Sequence, residues 1–254
     1  MKPKKISTTD PESRYMKGKG VNPSYNMQAA VDVDSRMVVG GYATKNAVDS
    51  GELSTVLEDI EETTEGKNPK VLSADKGYED LKGLQELKER EILGYIAQKE
   101  EKSNSCYPLS SFVYDETKDQ YLCPQDKPLT LSWTDKEGKK RYVGTACTDC
   151  HMRGECLTSK NPSPTSQRSI SVSPFLPLRN EMKERMDSEQ GLQAAKIRSS
   201  TVEPVFGTLK YAKKLRRFCF RGLNMINSQW KFELAALNLE KIVKFRISKQ
   251  LRTA

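Results

Sequence analysis

The residues best suited to chemistry form the most basic stretch of the chain, "VEPVFGTLKYAKKLRRFCFRG" (residues 202–222). Its one acid, Glu203, stands at the head, and the next acid is Glu233. Nucleic acid is the commonest polyanionic partner of such a cluster, and an anionic membrane surface is the other. The run is too dense to be average surface and predicts phosphate binding. Its cations are Lys210, Lys213, Lys214, Arg216, Arg217 and Arg221.

Glu203 precedes a proline that should lie in a helix. A proline there removes one amide donor and frees the carbonyl four residues back. Glu203, Gly207 and Lys210 share one helix face, while Val202 and neighbouring apolar residues would pack on a sheet. The pattern predicts a half-buried carboxylate. The alternative is an ordinary acid favoured by the dipole of a helix N-terminus.

A second acid, Asp75, ends a short apolar strand in "VLSADKGY". In α/β proteins ligands and catalytic groups collect at the carboxyl edge of the sheet. Taken alone, Asp75 is better explained as a turn residue that bonds to the backbone of "KGY".

Four cysteines follow in the spacing C-x23-C-x2-C-x5-C: Cys123, Cys147, Cys150 and Cys156. A C-x2-C pair can supply two of the four tetrahedral ligands of zinc. The surrounding segment is poor in large apolar residues, so a metal would help it fold. Structural zinc is favoured over free thiols. His151 could substitute as a ligand, but an exposed position is favoured for it. Cys106 and Cys219 have no evident partner.

Length and charge limit the class of protein. The chain has 254 residues, which is enough for one large domain or two small ones. Its net charge is +8. No apolar run approaches the roughly 20 residues that span a bilayer. The basic N-terminus lacks the apolar core of a signal peptide. These features predict a soluble, cytoplasmic protein with no membrane partner.

The hydrophobic pattern predicts a mixed α/β core in the order β-β-α-β-α-β. Two strands lie within 25–44, and Asp49 or Ser50 is expected to cap the helix that follows. Two hairpins and the cysteines mark an inserted β-rich module, and Ile226 to Ile242 line a last amphipathic helix. The predicted parts are a flexible basic leader (1–24), the first part of the core (25–97), the insertion (98–177) and the helical return with basic C-terminal helices (178–254).

In combination these motifs resemble the DDE transposases of bacterial insertion sequences. The resemblance rests on "YNMQAAVD", "ADKGY", "VEPVFGTLK" and "RRFCFRG" in this order, and covers nearly the whole chain. It implies an RNase H-like mixed sheet with flanking helices, interrupted by a small cysteine-containing insertion. Related enzymes often carry such an insertion between their second and third acids.

The resemblance also implies a function. Asp75 matches the second acid and Glu203 the third, and together they would ligate two Mg²⁺ or Mn²⁺ ions for DNA strand cleavage and transfer. Lys210 matches the family's lysine and Arg198 its upstream arginine. With the basic run, these cations would hold the DNA of the terminal inverted repeats and of the target. Transposases often work as dimers that hold the two DNA ends of the element together, so the resemblance is compatible with a homodimer of this chain.

The sequence departs from the family in two places. Ala195 stands where a tyrosine is common, and the opening strand with the first acid is not found upstream of Tyr25. Asp10, Asp32 and Asp34 read as loop or turn residues. We therefore expect an N-terminally truncated or split transposase. The alternatives are an inactive remnant that binds DNA or inhibits the intact enzyme, and a zinc-stabilised nucleic-acid-binding module of other ancestry.

Overall fold

The computed structural model describes residues 6–18, 20–99, 105–159 and 161–253. The chain divides into two compact units. The first is formed by Met1–Gln98 together with Met182–Ala254, and the second by Lys99–Glu181. The first unit contains both predicted acids and the basic run, and the second contains the four cysteines that the sequence groups with zinc, together with Cys106.

The expectation of a flexible leader over 1–24 is wrong for its second half. β1 (Arg14–Gly18) and β2 (Gly20–Ser24) pair as an antiparallel hairpin, with Arg14 opposite Ser24. The sequence gives no alternating strand pattern here, because Gly, Pro and Lys interrupt a segment that has few strand-forming residues. Residues 1–5 lie outside the described part of the chain.

The two strands predicted within 25–44 form a hairpin of two short ladders. β3 (Asn26–Met27) pairs with β6 (Ala43–Thr44), and β4 (Ala30–Val31) pairs with β5 (Val38–Gly40). The amide of Gln28 donates to the carbonyl of Tyr42 at 2.8 Å and joins the two ladders.

A helix–strand–helix–strand segment follows, as the hydrophobic pattern predicts. It consists of α1 (Leu53–Thr63), β7 (Val71–Ala74), α2 (Leu81–Glu89) and β8 (Leu93–Ile96). β7 and β8 pair in parallel, and the two helices bury leucines against them. Neither Asp49 nor Ser50 caps α1, because the N-cap position falls on Glu52.

The second unit is built on a five-stranded antiparallel sheet in the order β13-β12-β11-β10-β9. Its strands are β9 (Val113–Asp115), β10 (Gln120–Leu122), β11 (Pro128–Thr134), β12 (Lys140–Gly144) and β13 (Ser169–Val172). The first four are the two predicted hairpins. β13 was not predicted, and one helical turn, α3 (Arg153–Cys156), follows the C-x2-C pair.

Three helices complete the described chain: α4 (Leu176–Asp187), α5 (Glu189–Gly207) and α6 (Leu223–Thr253). α6 buries Ile226, Trp230, Leu234 and Leu237, as its apolar spacing predicts. Ile242 was expected on the same buried face but is 40% exposed, because α6 continues beyond the core.

The predicted α/β class with flanking helices is confirmed. The short β3–β6 hairpin packs under the C-terminal half of α5 and under α6, while β7 and β8 pack on α1, α2 and Met182. Among the described residues, no helix is both long enough and apolar enough to cross a bilayer.

Trp230 offers a test of this packing. Its side chain is 3% exposed, its ring lies 5.8 Å from that of Phe206, and its Nε1 donates to the Gln28 carbonyl at 2.8 Å. We expect Trp230→Ala to lower the free energy of unfolding in urea by about 3–5 kcal/mol, because it removes a large buried ring and leaves a cavity. Phe232→Ala is the matched control on the same helix, where the ring is 72% exposed. Equal losses for the two variants would contradict the packing.

Candidate functional site

Asp75 lies directly after β7, at the edge of the sheet predicted for it. Its backbone is extended, and its Oδ1 accepts the amide of Lys76 at 2.7 Å, which caps the short turn Lys76–Tyr78. The carboxylate is exposed, and Oδ2 has no hydrogen-bond partner among the described residues. Asp75 is thus both a turn residue and an accessible carboxylate.

Glu203 lies in the last turns of α5, as predicted, but it is exposed rather than half buried. Val205 and Leu209 are buried in the core, so the helix packs through their side. Glu203 lies on the exposed side of the helix. Its Oε1 accepts the hydroxyl of Ser199 at 2.6 Å, one turn earlier. Its other oxygen has no hydrogen-bond partner among the described residues.

Pro204 lies inside α5 and frees the carbonyl of Ser200, as expected from its missing amide. Arg36, in the turn between β4 and β5, lies against this carbonyl at 3.4 Å and also donates to the hydroxyl of Thr201. The helix next to Glu203 is therefore tied to the hairpin, and the chain continues into a π-helical turn, Thr208–Ala212.

The helix that contains Glu203, α5, also packs on β7, the strand that Asp75 follows. The helix contacts β7, β8 and β4, and Ser73 of β7 lies 3.4 Å from the carbonyl of Ala194. Farther along, Arg198 acts electrostatically on Tyr78, which follows Asp75. α5 therefore runs in the direction of β7, and Glu203 lies about 7 Å along the helix axis beyond Arg198. Asp75 lies at the carboxyl end of β7, and Glu203 lies in the last turns of the helix that packs on this strand.

No three side chains of His, Cys, Asp or Glu are grouped closely enough to hold a metal ion among the described residues. Asp10 and Asp32 are engaged elsewhere. Asp10 accepts the hydroxyl of Tyr25 at 2.8 Å and the amide of Gly222 at 3.4 Å. Asp32 accepts the amide and hydroxyl of Ser35 in the hairpin turn, and these bonds lower the pKa of its carboxyl.

The six cations of the basic run are exposed along one continuous segment after Glu203. Leu215 and Phe218 pack on the core and hold this segment to the protein. Lys210 lies over the Phe206 ring at 5.8 Å and Arg216 over the Tyr211 ring at 5.7 Å, while Lys213 pairs with Glu240. Lys214, Arg217 and Arg221 complete an exposed positive surface, and Arg198 is half-buried.

A polar cluster beside Asp75 escaped the sequence analysis. Oδ1 of Asp49 accepts the side-chain amides of Asn26 at 2.7 Å and Gln28 at 2.9 Å, and the Tyr78 hydroxyl donates to Oε1 of Gln28. Burial, and then the nearby carboxylates Asp49, Glu52 and Asp75, raise the pKa of Tyr78 well above its usual range, so the phenol remains a donor. The only sequence signal was the run of amides in "YNMQ", which had suggested nothing but a strand.

The four cysteines of the predicted zinc site line one small cavity in the second unit. The amide of Lys127 donates to Sγ of Cys123, and that of Arg168 donates to Sγ of Cys147, both at 3.4 Å. Burial raises the pKa of Cys156, and the charge of Arg168 opposes this shift. His151 is exposed, as expected.

Two buried guanidinium groups also border this cavity. Nε of Arg153 and Nε of Arg168 have no hydrogen-bond partner among the described residues. Their Nη2 atoms are bound to backbone carbonyls, those of Ser163 at 2.6 Å and Tyr107 at 3.0 Å. Two guanidinium groups therefore border the cavity that the four thiols line.

A family model described as "Transposase DDE domain" matches residues 122–243. This match confirms the resemblance to the DDE transposases. It includes Glu203, the whole basic run and the four cysteines, and it begins after Asp75. No curated protein and no solved structure matches the chain. A transposase domain implies a DNA substrate.

Proposed function

We propose that the chain is the catalytic part of a transposase, acting in divalent-metal-dependent cleavage and transfer of DNA strands. The observation that carries this proposal is that Asp75, directly after β7, and Glu203, in the helix that packs on β7, are exposed carboxylates, each with one oxygen not engaged by the described residues. The match to the transposase DDE domain supports the role of Glu203. The role of Asp75 is supported by the "ADKGY" resemblance.

The donor set of these side chains suits a hard cation. Carboxylate oxygens are the ligands that Mg²⁺ and Mn²⁺ prefer. When bound, such ions supply activation of a water nucleophile and stabilisation of the leaving oxygen in phosphodiester cleavage. The two described acids would hold part of this site. Ser199 engages one oxygen of Glu203, and the amide of Lys76 engages one oxygen of Asp75, so the second oxygen of each is available to a cation.

The reaction has two displacements at phosphorus. In the first, a water oxygen bonds to the scissile phosphorus, the bond to the 3′ oxygen breaks, and that oxygen leaves as a hydroxyl with the proton given up by the water. In the second, the oxygen of the freed 3′ hydroxyl bonds to a phosphorus of the target strand, the bond to the target's own 3′ oxygen breaks, and that oxygen leaves as a hydroxyl with the proton given up by the attacking hydroxyl. The basic segment after Glu203 would hold the backbones of both DNA molecules.

Glu203→Gln tests the catalytic role. The change preserves size but removes a charged ligand, and loss of about 4 kcal/mol of transition-state stabilisation corresponds to a rate decrease of about 10³-fold. We expect cleavage of a plasmid carrying the DNA that flanks the coding sequence to fall by this factor, while binding in a gel-shift assay stays within about twofold. Glu189→Gln, at the other end of α5, is the control.

The possible outcomes separate the two functions inferred from the sequence. Unchanged cleavage by Glu203→Gln would contradict the proposal. A wild-type chain that binds the same DNA but cuts none with Mg²⁺ or Mn²⁺ would instead support the DNA-binding remnant, which could inhibit an intact transposase.

The basic segment makes a separate prediction about DNA affinity. Replacing Lys214, Arg217 and Arg221 by alanine should reduce the slope of log affinity against log salt by up to about 3, since each lost phosphate contact removes about 0.9. The loss should be similar for all DNA sequences, as expected for phosphate contacts. Alanine at Lys67, Lys82 and Lys88, three exposed lysines elsewhere in the same unit, is the charge-matched control. Equal slopes for both triple variants would exclude this segment as the DNA surface.

We also propose that Cys123, Cys147, Cys150 and Cys156 hold a structural zinc ion. Support comes from their common cavity, from the amide donors to two sulfurs, and from the partnerless Nε groups of Arg153 and Arg168. Zinc with four thiolates is a doubly negative centre, and two guanidinium ions beside it would offset that charge. The sulfurs would have to draw together to bind it.

Metal analysis of freshly purified, reduced protein tests the zinc site. We expect about one zinc per chain, lost in Cys147→Ser, together with a lower melting temperature of the second unit, because metal binding contributes to folding. Cys219→Ser, an exposed thiol in the first unit, should retain the zinc. A wild-type protein without zinc, or a Cys147→Ser variant with a full complement of it, would refute the assignment.

A further inference from the structure

We propose that Asp49 is a positioning residue for Asp75, acting through the turn Lys76–Tyr78 rather than by touching DNA or metal. This inference rests on the proposed function and deepens it, because it identifies what holds one of the two proposed ligands. All residues involved lie in the first unit.

The first contact is between Asp49 and the backbone of the turn. A Cβ at Gly77 would lie only 2.7 Å from Oδ2 of Asp49, so the carboxylate packs directly where a side chain would stand. Gly77 follows Asp75 by two residues, and the turn is closed by the amide of Tyr78 donating to the carbonyl of Asp75 at 3.0 Å. The position of Asp49 therefore limits where this turn, and the residue that begins it, can lie.

The second contact runs through the buried amide of Gln28. Gln28 is 1% exposed, and its side chain donates to Asp49 and accepts from the Tyr78 hydroxyl. Asn26 donates to the same oxygen of Asp49. Asp49 thus orients Gln28, and Gln28 holds the C-terminal residue of the turn. Asp75 is exposed and anchored to its own turn through Oδ1, so its direction depends on this support.

The hydrogen bonds argue against Asp49 as a metal ligand. Its Oδ1 accepts two amides, and its Oδ2 faces the backbone of Gly77. An asparagine could still accept both amides through its own oxygen, whereas alanine would leave the amides of the half-buried Asn26 and the buried Gln28 without this acceptor. A positioning role and a ligand role therefore differ in how they respond to asparagine.

The test compares Asp49→Ala, Asp49→Asn and Asp59→Ala in the full chain. Asp59 is the matched control, because it is a buried carboxylate that binds Gly41 and Lys231 and does not contact the turn. One readout is hydrogen exchange at the amides of the Lys76–Tyr78 turn. The other is the Mg²⁺ concentration that gives half-maximal cleavage of the flanking-DNA plasmid.

We expect Asp49→Ala to speed amide exchange in the turn and to raise the half-maximal Mg²⁺ concentration, each about tenfold, as for loss of a residue that orients a ligand. The cleavage rate at saturating Mg²⁺ should recover to within about twofold of wild type. Asp49→Asn should resemble wild type in both readouts. Asp59→Ala should leave both unchanged even where it lowers the melting temperature.

Three results would overturn the inference: an Asp49→Ala variant like wild type in turn exchange, an Asp49→Asn variant as impaired as Asp49→Ala, or equal changes in Asp59→Ala. If the wild-type chain cuts no DNA, the proposed function fails separately. Exchange in the turn and Mn²⁺ affinity, measured by electron paramagnetic resonance of the chain without DNA, then decide whether Asp49 positions Asp75.

Discussion

The packing of the first unit depends on one buried residue, Gln28, whose backbone and side-chain amide groups all form hydrogen bonds. Gln28 donates its backbone amide to Tyr42 and accepts Trp230 Nε1 at its carbonyl, while its side chain bonds to Asp49 and Tyr78. Leaving any of these groups unpaired at 1% exposure would cost about 1–3 kcal/mol. A single residue thus joins the hairpin, α6, the loop before α1 and the turn after β7.

This arrangement explains how short strands can support a site. β3, β4 and β6 have two residues each, which gives few ladder hydrogen bonds. Side chains from distant elements supply the rest: Asn227 accepts the amide of Ala43, and Asn238 accepts the amide of Val38 and donates to its carbonyl. The hairpin is held by α6 as much as by its own pairing, so the placement of Asp75 depends indirectly on the C-terminal helix.

The sequence predicted features that depend on local spacing. Asp75 after a strand, Pro204 in a helix and the buried stripe of α6 follow from neighbours a few residues away. Asp49 was expected to cap α1 because it lies just before that helix. Its actual contacts, with Gln28 and Gly77, span more than 20 residues and leave no local pattern in the sequence. The exposure of Glu203 was missed for a similar reason, since the helix face that packs on the hairpin is chosen by tertiary contacts. β13 was missed because its alternating "SISV" lies in a segment rich in serine and proline.

The change from a regular helix at Glu203 to an exposed run of cations after it follows from the backbone of α5. Pro204 frees the Ser200 carbonyl, Arg36 lies against that carbonyl, and the helix widens into a π-helical turn four residues after the proline. Leu209 remains 1% exposed through this change, so the turn keeps its anchor in the core while the cations after it face solvent. If the chain continued as a regular helix, Arg216 would fall on the buried side, because it comes seven residues after Leu209. Ending the regular helix here lets a dense run of cations follow Glu203 without burying the charge of Arg216.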